Sequence, residues 1–100
     1  MTITVPKHNL ARVATSAALT DVPTMIYGVL LFAGTANSTV KFTNDANGAG
    51  TAVLNVSAPA NGPSVFLDFE KLGPVNFSSK CYLTIAGTAA EVYVWYDTTA

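Results

Sequence analysis

Apolar and polar residues alternate along most of this chain with the two-residue period of half-buried β-strands. Thr39–Thr43 puts Val40 and Phe42 on one side and Lys41 on the other. Thr51–Ser57 gathers Ala52, Leu54 and Val56 on one face, and Ser64–Glu70 sets Val65, Leu67 and Phe69 against Phe66, Asp68 and Glu70. Lys80–Ala86 alternates Cys81, Leu83 and Ile85 with Tyr82 and Thr84, and Glu91–Asp97 alternates Val92, Val94 and Tyr96 with Tyr93 and Trp95. Pro74–Phe77 is a shorter candidate. Thr24–Ala33 differs, with Met25, Tyr27, Val29 and Leu31 on one face and Ile26, Leu30 and Phe32 on the other. Apolar on both sides, it reads as a central, covered strand. The intervening segments, 34–38, 44–50, 59–63, 72–74 and 87–90, carry the Gly, Pro, Asn and Asp that turns require. Seven or eight strands at this spacing predict an all-β fold, a small antiparallel β-sandwich, Ig-like or jelly-roll-like, as a single domain over residues 11–100.

The N-terminal third admits two readings. Leu10, Val13, Ala14, Ala17 and Ala18 fall at helical spacing behind Asn9 as a cap. A strand over Ala11–Leu19 would instead turn Ala11, Val13, Ala17 and Leu19 inward, and Thr15, Ser16 and Thr20 favour it by weakening the helix. Residues 1–10 read as an extended arm, since Pro6 interrupts regular pairing. Such a segment can reach a neighbouring subunit, although a frayed terminus is the commoner outcome. Ala-Gly-Thr-Ala recurs at 33–36, 49–52 and 86–89, each time at a strand boundary. The unequal spacing makes it a reused turn, and no solenoid.

Composition sharpens the picture. Only 11% of the 100 residues are charged while 50% are apolar, against about 25% charged in an ordinary soluble domain. With a net charge of −1 and five scattered basic residues, the chain lacks the footprint of a nucleic-acid binder. The longest apolar run, Met25–Ala33, falls far short of the roughly 20 residues of a spanning helix. No apolar core follows the N-terminal basic residues, so no secretory signal is read. The single cysteine allows neither an internal disulfide nor a metal pair, which fits synthesis in a reducing cytoplasm. A domain of this size hides only about two-thirds of its unfolded surface. So few charges on the remainder point to surface covered by other protein, as in a homo-oligomer or larger assembly.

Catalytic motifs are not found. The only histidine, His8, lies far along the chain from Cys81, which reads as a small core residue. Asp68 and Glu70 share a strand face without making the cleft that paired-carboxylate chemistry needs. Asn44–Gly48 offers Asp45 alone where a calcium loop needs several acids, so a hairpin turn at Asn47-Gly48 is the better account. Asn37-Ser-Thr, Asn55-Val-Ser and Asn76-Phe-Ser match the glycosylation pattern by chance in an Asn- and Thr-rich chain. No enzyme, cofactor or metal site is therefore expected. The aromatics Tyr82, Tyr93 and Trp95 stand opposite the aliphatic faces of their strands, and would merge into one patch if those strands paired. That patch could be a second core layer, a subunit contact of the kind enriched in Tyr and Trp, or a sugar-stacking platform.

Gly48–Phe69, Gly73–Phe77 and Cys81–Tyr96, together with Tyr27–Gly34, resemble small all-β virion proteins of tailed bacteriophages, particularly those infecting marine cyanobacteria. The likeness covers about residues 12 to 97 and is one of pattern. It implies a virion component, either a capsid decoration (cement) protein or a fibre-knob subunit, often trimeric, and carries over no site residues. A decoration protein that oligomerises and staples capsid subunits is the leading expectation. The alternative is a receptor- or carbohydrate-binding module using Tyr82, Tyr93 and Trp95.

Overall fold

A computed structural model describes residues 8–98. These form nine strands and no helix: β1 (Asn9–Val13), β2 (Ala17–Thr20), β3 (Thr24–Phe32), β4 (Ser38–Thr43), β5 (Ala52–Ala58), β6 (Val65–Asp68), β7 (Val75–Phe77), β8 (Cys81–Ala86) and β9 (Glu91–Thr98). Two antiparallel sheets pack face to face. The first runs β1-β9-β3, with β6 and β7 taking successive stretches of the far edge of β3; the second runs β2-β8-β4-β5.

The pairing is nested. Asn9 faces Tyr96, Ala17 faces Leu83, Thr24 faces Phe77, Leu31 faces Val65, and Ser38 faces Ala58. The first half of the chain thus runs back along the second as one long hairpin whose tip is the β4–β5 loop. The hairpin is rolled so that β3 meets β9 and β4 meets β8. A five-stranded layer in which β6 and β7 share one edge, over a four-stranded layer connected in this way, has the strand order of a jelly roll, which resolves the choice between the two sandwich topologies.

Residues 10–19 form no helix, and the anticipated single strand divides. β1 joins the first sheet and β2 the second, with a bend at 14–16 between them. Ala14, Thr15 and Ser16 carry little to bury, so the chain can cross the sandwich there. Ser16 Oγ accepts the Ile85 N–H at 2.9 Å and anchors the crossing. Ala17, expected inward, is exposed, while Ala11, Val13 and Leu19 are half-buried. Asn9 and Leu10 belong to β1 and are no arm; residues 1–7 of that expectation lie outside the described residues.

The core takes Ile26, Val29, Leu31, Phe77, Val92 and Val94 from the first sheet and Val40, Phe42, Val56, Cys81 and Leu83 from the second. Phe42 and Phe77 meet across the layers with ring centroids 6.2 Å apart. Ile26 corrects the two-faced reading of β3. Opposite β9 the register runs Ile26↔Tyr96, then Gly28↔Trp95, so Tyr27 is an extra, bulged residue. The bulge shifts the alternation by one residue, placing Ile26 on the same side as Val29 and Leu31. The Tyr27 carbonyl accepts the Phe69 N–H at 2.8 Å. A second bulge leaves Val53 of β5 without a partner on β4, and its side chain is 48% exposed.

Asp45 organises the loop at the tip of the roll. Its carboxylate accepts from Thr43 Oγ1 at 2.9 Å and from the backbone N–H groups of Asn47, Gly48 and Gly50. Desolvation pushes its pKa upward, but these donors outweigh it and hold the carboxyl below its ordinary range. The acid that resembled a calcium ligand is spent on the loop's own amides.

Two of the three Ala-Gly-Thr-Ala copies meet at one end of the sandwich. Thr35 N donates to the Thr88 carbonyl at 3.3 Å, and a Cβ on Gly34 would lie 1.8 Å from that same oxygen. Glycine is required here because backbone passes against backbone. Gly34→Ala must displace the 86–89 turn and is expected to destabilise the fold by roughly 1–3 kcal/mol or more. Urea unfolding of the variant, with Thr35→Ala as a control that leaves the close approach intact, checks this.

Candidate functional site

The outer face of the first sheet is built from the residues that alternate with the core. The cross-strand registers set Leu10 beside Trp95 and Trp95 beside Gly28, then Gly28 beside Asp68. The next row runs Arg12, Tyr93, Leu30, Phe66, and beyond it Glu91 faces Phe32. Leu10, Phe32 and Phe66 are 56%, 41% and 55% exposed. Phe32 packs edge-on to Tyr93 and Phe66 edge-on to Trp95, each at 5.8 Å and 81°. Arg12 pairs with Glu91 at the rim. The result is a continuous aromatic and aliphatic surface across four strands, with charge confined to its margins.

At one end this face opens into a cleft of about 180 Å³ lined by His8, Tyr27, Gly28, Phe66, Asp68, Glu70 and Trp95. Its floor is Gly28, where a Cβ would lie 3.3 Å from Trp95 Cε3. Its rim is electrostatic. His8 stacks on the bulged Tyr27, with centroids 3.9 Å apart and planes 10° from parallel. One ring nitrogen, Nδ1, bonds Asp97 Oδ2 at 2.7 Å, and Nε2 reaches Glu70 Oε1. The His8 side chain is only 8% exposed. Desolvation pushes its pKa down, but the bonds to Asp97 and Glu70 outweigh this and hold it above the ordinary 6.5. Asp68 completes the rim, with Oδ1 accepting the Glu70 N–H at 2.9 Å.

The anticipated aromatic patch is divided. Tyr93 and Trp95 share this face, but β8 and β9 do not pair, and Tyr82 stands on the outer side of the second sheet. There the β4–β5 loop packs against it: a Cβ on Gly48 would lie 2.9 Å from the Tyr82 ring. Cys81 is in the core while His8 is on the outer face of the other sheet, so the two make no pair. Burial pushes the Cys81 thiol up to about 12. Asp68 and Glu70 do edge a cleft, contrary to their reading as a plain solvated face. No local pattern announced the gathering of His8, Glu70 and Asp97, because the β1–β9 pairing brings His8 to Asp97 and the β3–β6 pairing brings in Glu70. A larger, shallower hollow of about 360 Å³ beside β4 and β5 is lined only by small neutral side chains such as Asn37, Thr39 and Ser57. Among the described residues no cluster of His, Cys, Asp and Glu is arranged to hold a metal ion, and no helix is long and apolar enough to cross a membrane.

The chain matches no protein-family model, no curated protein and no solved structure.

Two outcomes follow from this geometry. A pKa raised in the folded state adds stability that is complete below the unfolded value near 6.5 and is lost as pH rises through the folded value. Thermal unfolding should therefore show the protein losing stability as the pH passes from 6.5 to that raised value. His8→Phe, which can keep the stack on Tyr27, should flatten this dependence, and the NMR titration of the sole histidine should place its midpoint above 6.5. Cys81 should resist a disulfide thiol reagent in the native protein and react completely in denaturant. Rapid native labelling would mean that β8 is not where the fold puts it.

Proposed function

We propose that this chain is a structural protein of a tailed-bacteriophage virion, made in the host cytoplasm: a capsid decoration protein that oligomerises, as a trimer, and staples neighbouring capsid subunits. The observation that carries the reading is the outer face of the first sheet. Exposed Leu10, Phe32 and Phe66 extend a surface already formed by Leu30, Tyr93 and Trp95. Apolar surface continuous over four strands is characteristic of a contact site, whereas scattered exposed leucines are ordinary. Jelly rolls serve widely as viral capsid domains, and also as lectins; this support is analogy at the level of fold.

The mechanism is burial. A standard interface removes about 800 Å² from each partner, and apolar area contributes about 25 cal/mol per Å² before the cost of docking and ordering is subtracted. A rigid sheet with side chains already packed edge-to-face loses little conformational freedom on docking, so more of that gross term survives as affinity. A receptor- or carbohydrate-binding role is the second reading. Trp95 and Phe66 set perpendicular beside carboxylates favour it, although Tyr82 plays no part.

The test is mass in solution by light scattering, followed by co-sedimentation with purified capsids. The wild-type protein should be a trimer that pellets with capsids. The double variant Leu10→Ser, Phe66→Ser should keep its melting temperature and mass while losing capsid binding. A monodisperse monomer that ignores capsids would overturn the proposal.

A further inference from the structure

The chain holds two Asn-Gly pairs, Asn47-Gly48 and Asn61-Gly62, and the fold treats them differently. Asparagine followed by glycine can lose its side-chain amide without a catalyst. The backbone nitrogen of the glycine attacks the asparagine Cγ, and a succinimide ring forms as the Cγ–Nδ2 bond breaks. The proton of the glycine N–H passes through water to the departing nitrogen, which leaves as ammonia. Water then opens the ring at either carbonyl, giving aspartate or isoaspartate. Glycine favours the reaction because no Cβ obstructs the approach. The step requires a side chain able to turn toward that nitrogen and a nitrogen able to give up its proton.

Neither condition is met at Asn47. Its Oδ1 accepts the Ala49 N–H at 3.0 Å, and the Gly48 N–H donates to Asp45 Oδ1 at 2.7 Å. Loss of the Gly48 proton would break a charge-assisted hydrogen bond and set a second negative charge against the carboxylate. Asp45 is a weak base here: desolvation raises its pKa, but its donors outweigh that and hold it below the ordinary range. The loop is also seated, since a Cβ on Gly48 would lie 2.7 Å from Thr84 Oγ1 and 2.9 Å from the Tyr82 ring. Asn61, by contrast, is exposed. Its own N–H donates to the Gly34 carbonyl at 3.0 Å, and the Gly62 N–H donates to the Pro59 carbonyl at 3.1 Å. The acceptor at Gly62 is neutral, and among the described residues no hydrogen bond holds the Asn61 carboxamide.

We propose that Asn61 deamidates spontaneously through a succinimide in the folded protein, and that Asp45 shields Asn47 from the same reaction. Conversion of Asn61 adds a negative charge to a chain whose net charge is −1. It does so in the loop that carries the chain from β5 in the second sheet to β6 in the first.

The test is incubation of the folded protein at mildly alkaline pH, followed by peptide mapping with mass spectrometry that separates aspartate from isoaspartate. Asn61 should convert roughly tenfold or more faster than Asn47, with isoaspartate among its products. In denaturant the two rates should converge, since both pairs are then plain Asn-Gly. Asp45→Asn keeps an acceptor but removes the charge, and Asp45→Ala removes both. They should raise the Asn47 rate in that order and leave Asn61 unchanged, with circular dichroism confirming the fold of each. An Asn61 that stays intact, or an Asn47 that converts as fast, would overturn the proposal. So would aspartate formed without isoaspartate, or an Asn47 rate indifferent to both Asp45 variants. If neither variant folds, the native and denatured rates of the wild-type protein decide.

Discussion

The pairing of β3 with β9 is the contact on which the rest of the molecule depends. Without it, the nested pairs would leave a long antiparallel ribbon, apolar on one side and with nothing to cover it. Once Val29 lies beside Val94 and Leu31 beside Val92, the ribbon is rolled into two layers and the valines find the second sheet opposite them. The same seam creates the outer face. It sets Trp95 next to Gly28 and Tyr93 next to Leu30, so residues far apart in sequence become one surface. The bulge at Tyr27 belongs to this seam too. It turns Ile26 into the core and leaves Tyr27 outside as the plate on which His8 rests, bringing the start of β1 within reach of Glu70 and Asp97.

Much of this could be read from the chain. Five strands announced themselves by alternation and a sixth by its apolar run, and Val40, Phe42, Cys81, Leu83, Val92 and Val94 turn inward as their spacing implies. What escaped was everything that depends on a change of register or of sheet. A single extra residue at Tyr27 reversed the faces of half of β3, and nothing in Met-Ile-Tyr-Gly-Val marks where the extra residue falls except the glycine beside it. Residues 11–19 kept an apolar rhythm across a point where the chain leaves one sheet for the other. Tyr82 and Trp95 share a pattern but not a sheet, because alternation fixes which side of its own strand a residue occupies and says nothing of which strand lies next to it. The cleft was illegible for the same reason: its members come from the region before β1, the bulge in β3, the end of β6 and the end of β9.

The scarcity of charge also takes on a more specific meaning. On the second sheet the outer positions include Thr39 beside Ser57 and Lys41 beside Asn55 and Thr84. Hydroxyls and amides make that face wettable with hardly any ionised groups, so low charge there needs no partner. On the first sheet the equivalent positions are Leu10, Trp95, Tyr93, Leu30, Phe66 and Phe32. The deficit is therefore two phenomena, neutral polarity on one face and an apolar surface on the other, and only the second bears on the proposed docking.

Symmetry then separates what could cover it. A flat patch meeting its own copy does so about a two-fold axis, whereas a cyclic trimer joins two different patches head to tail. The outer face cannot by itself close a trimer; it would need a second patch of complementary character on the neighbouring copy. On the proposed reading, trimer contacts therefore fall on other surfaces and this face is left for the capsid.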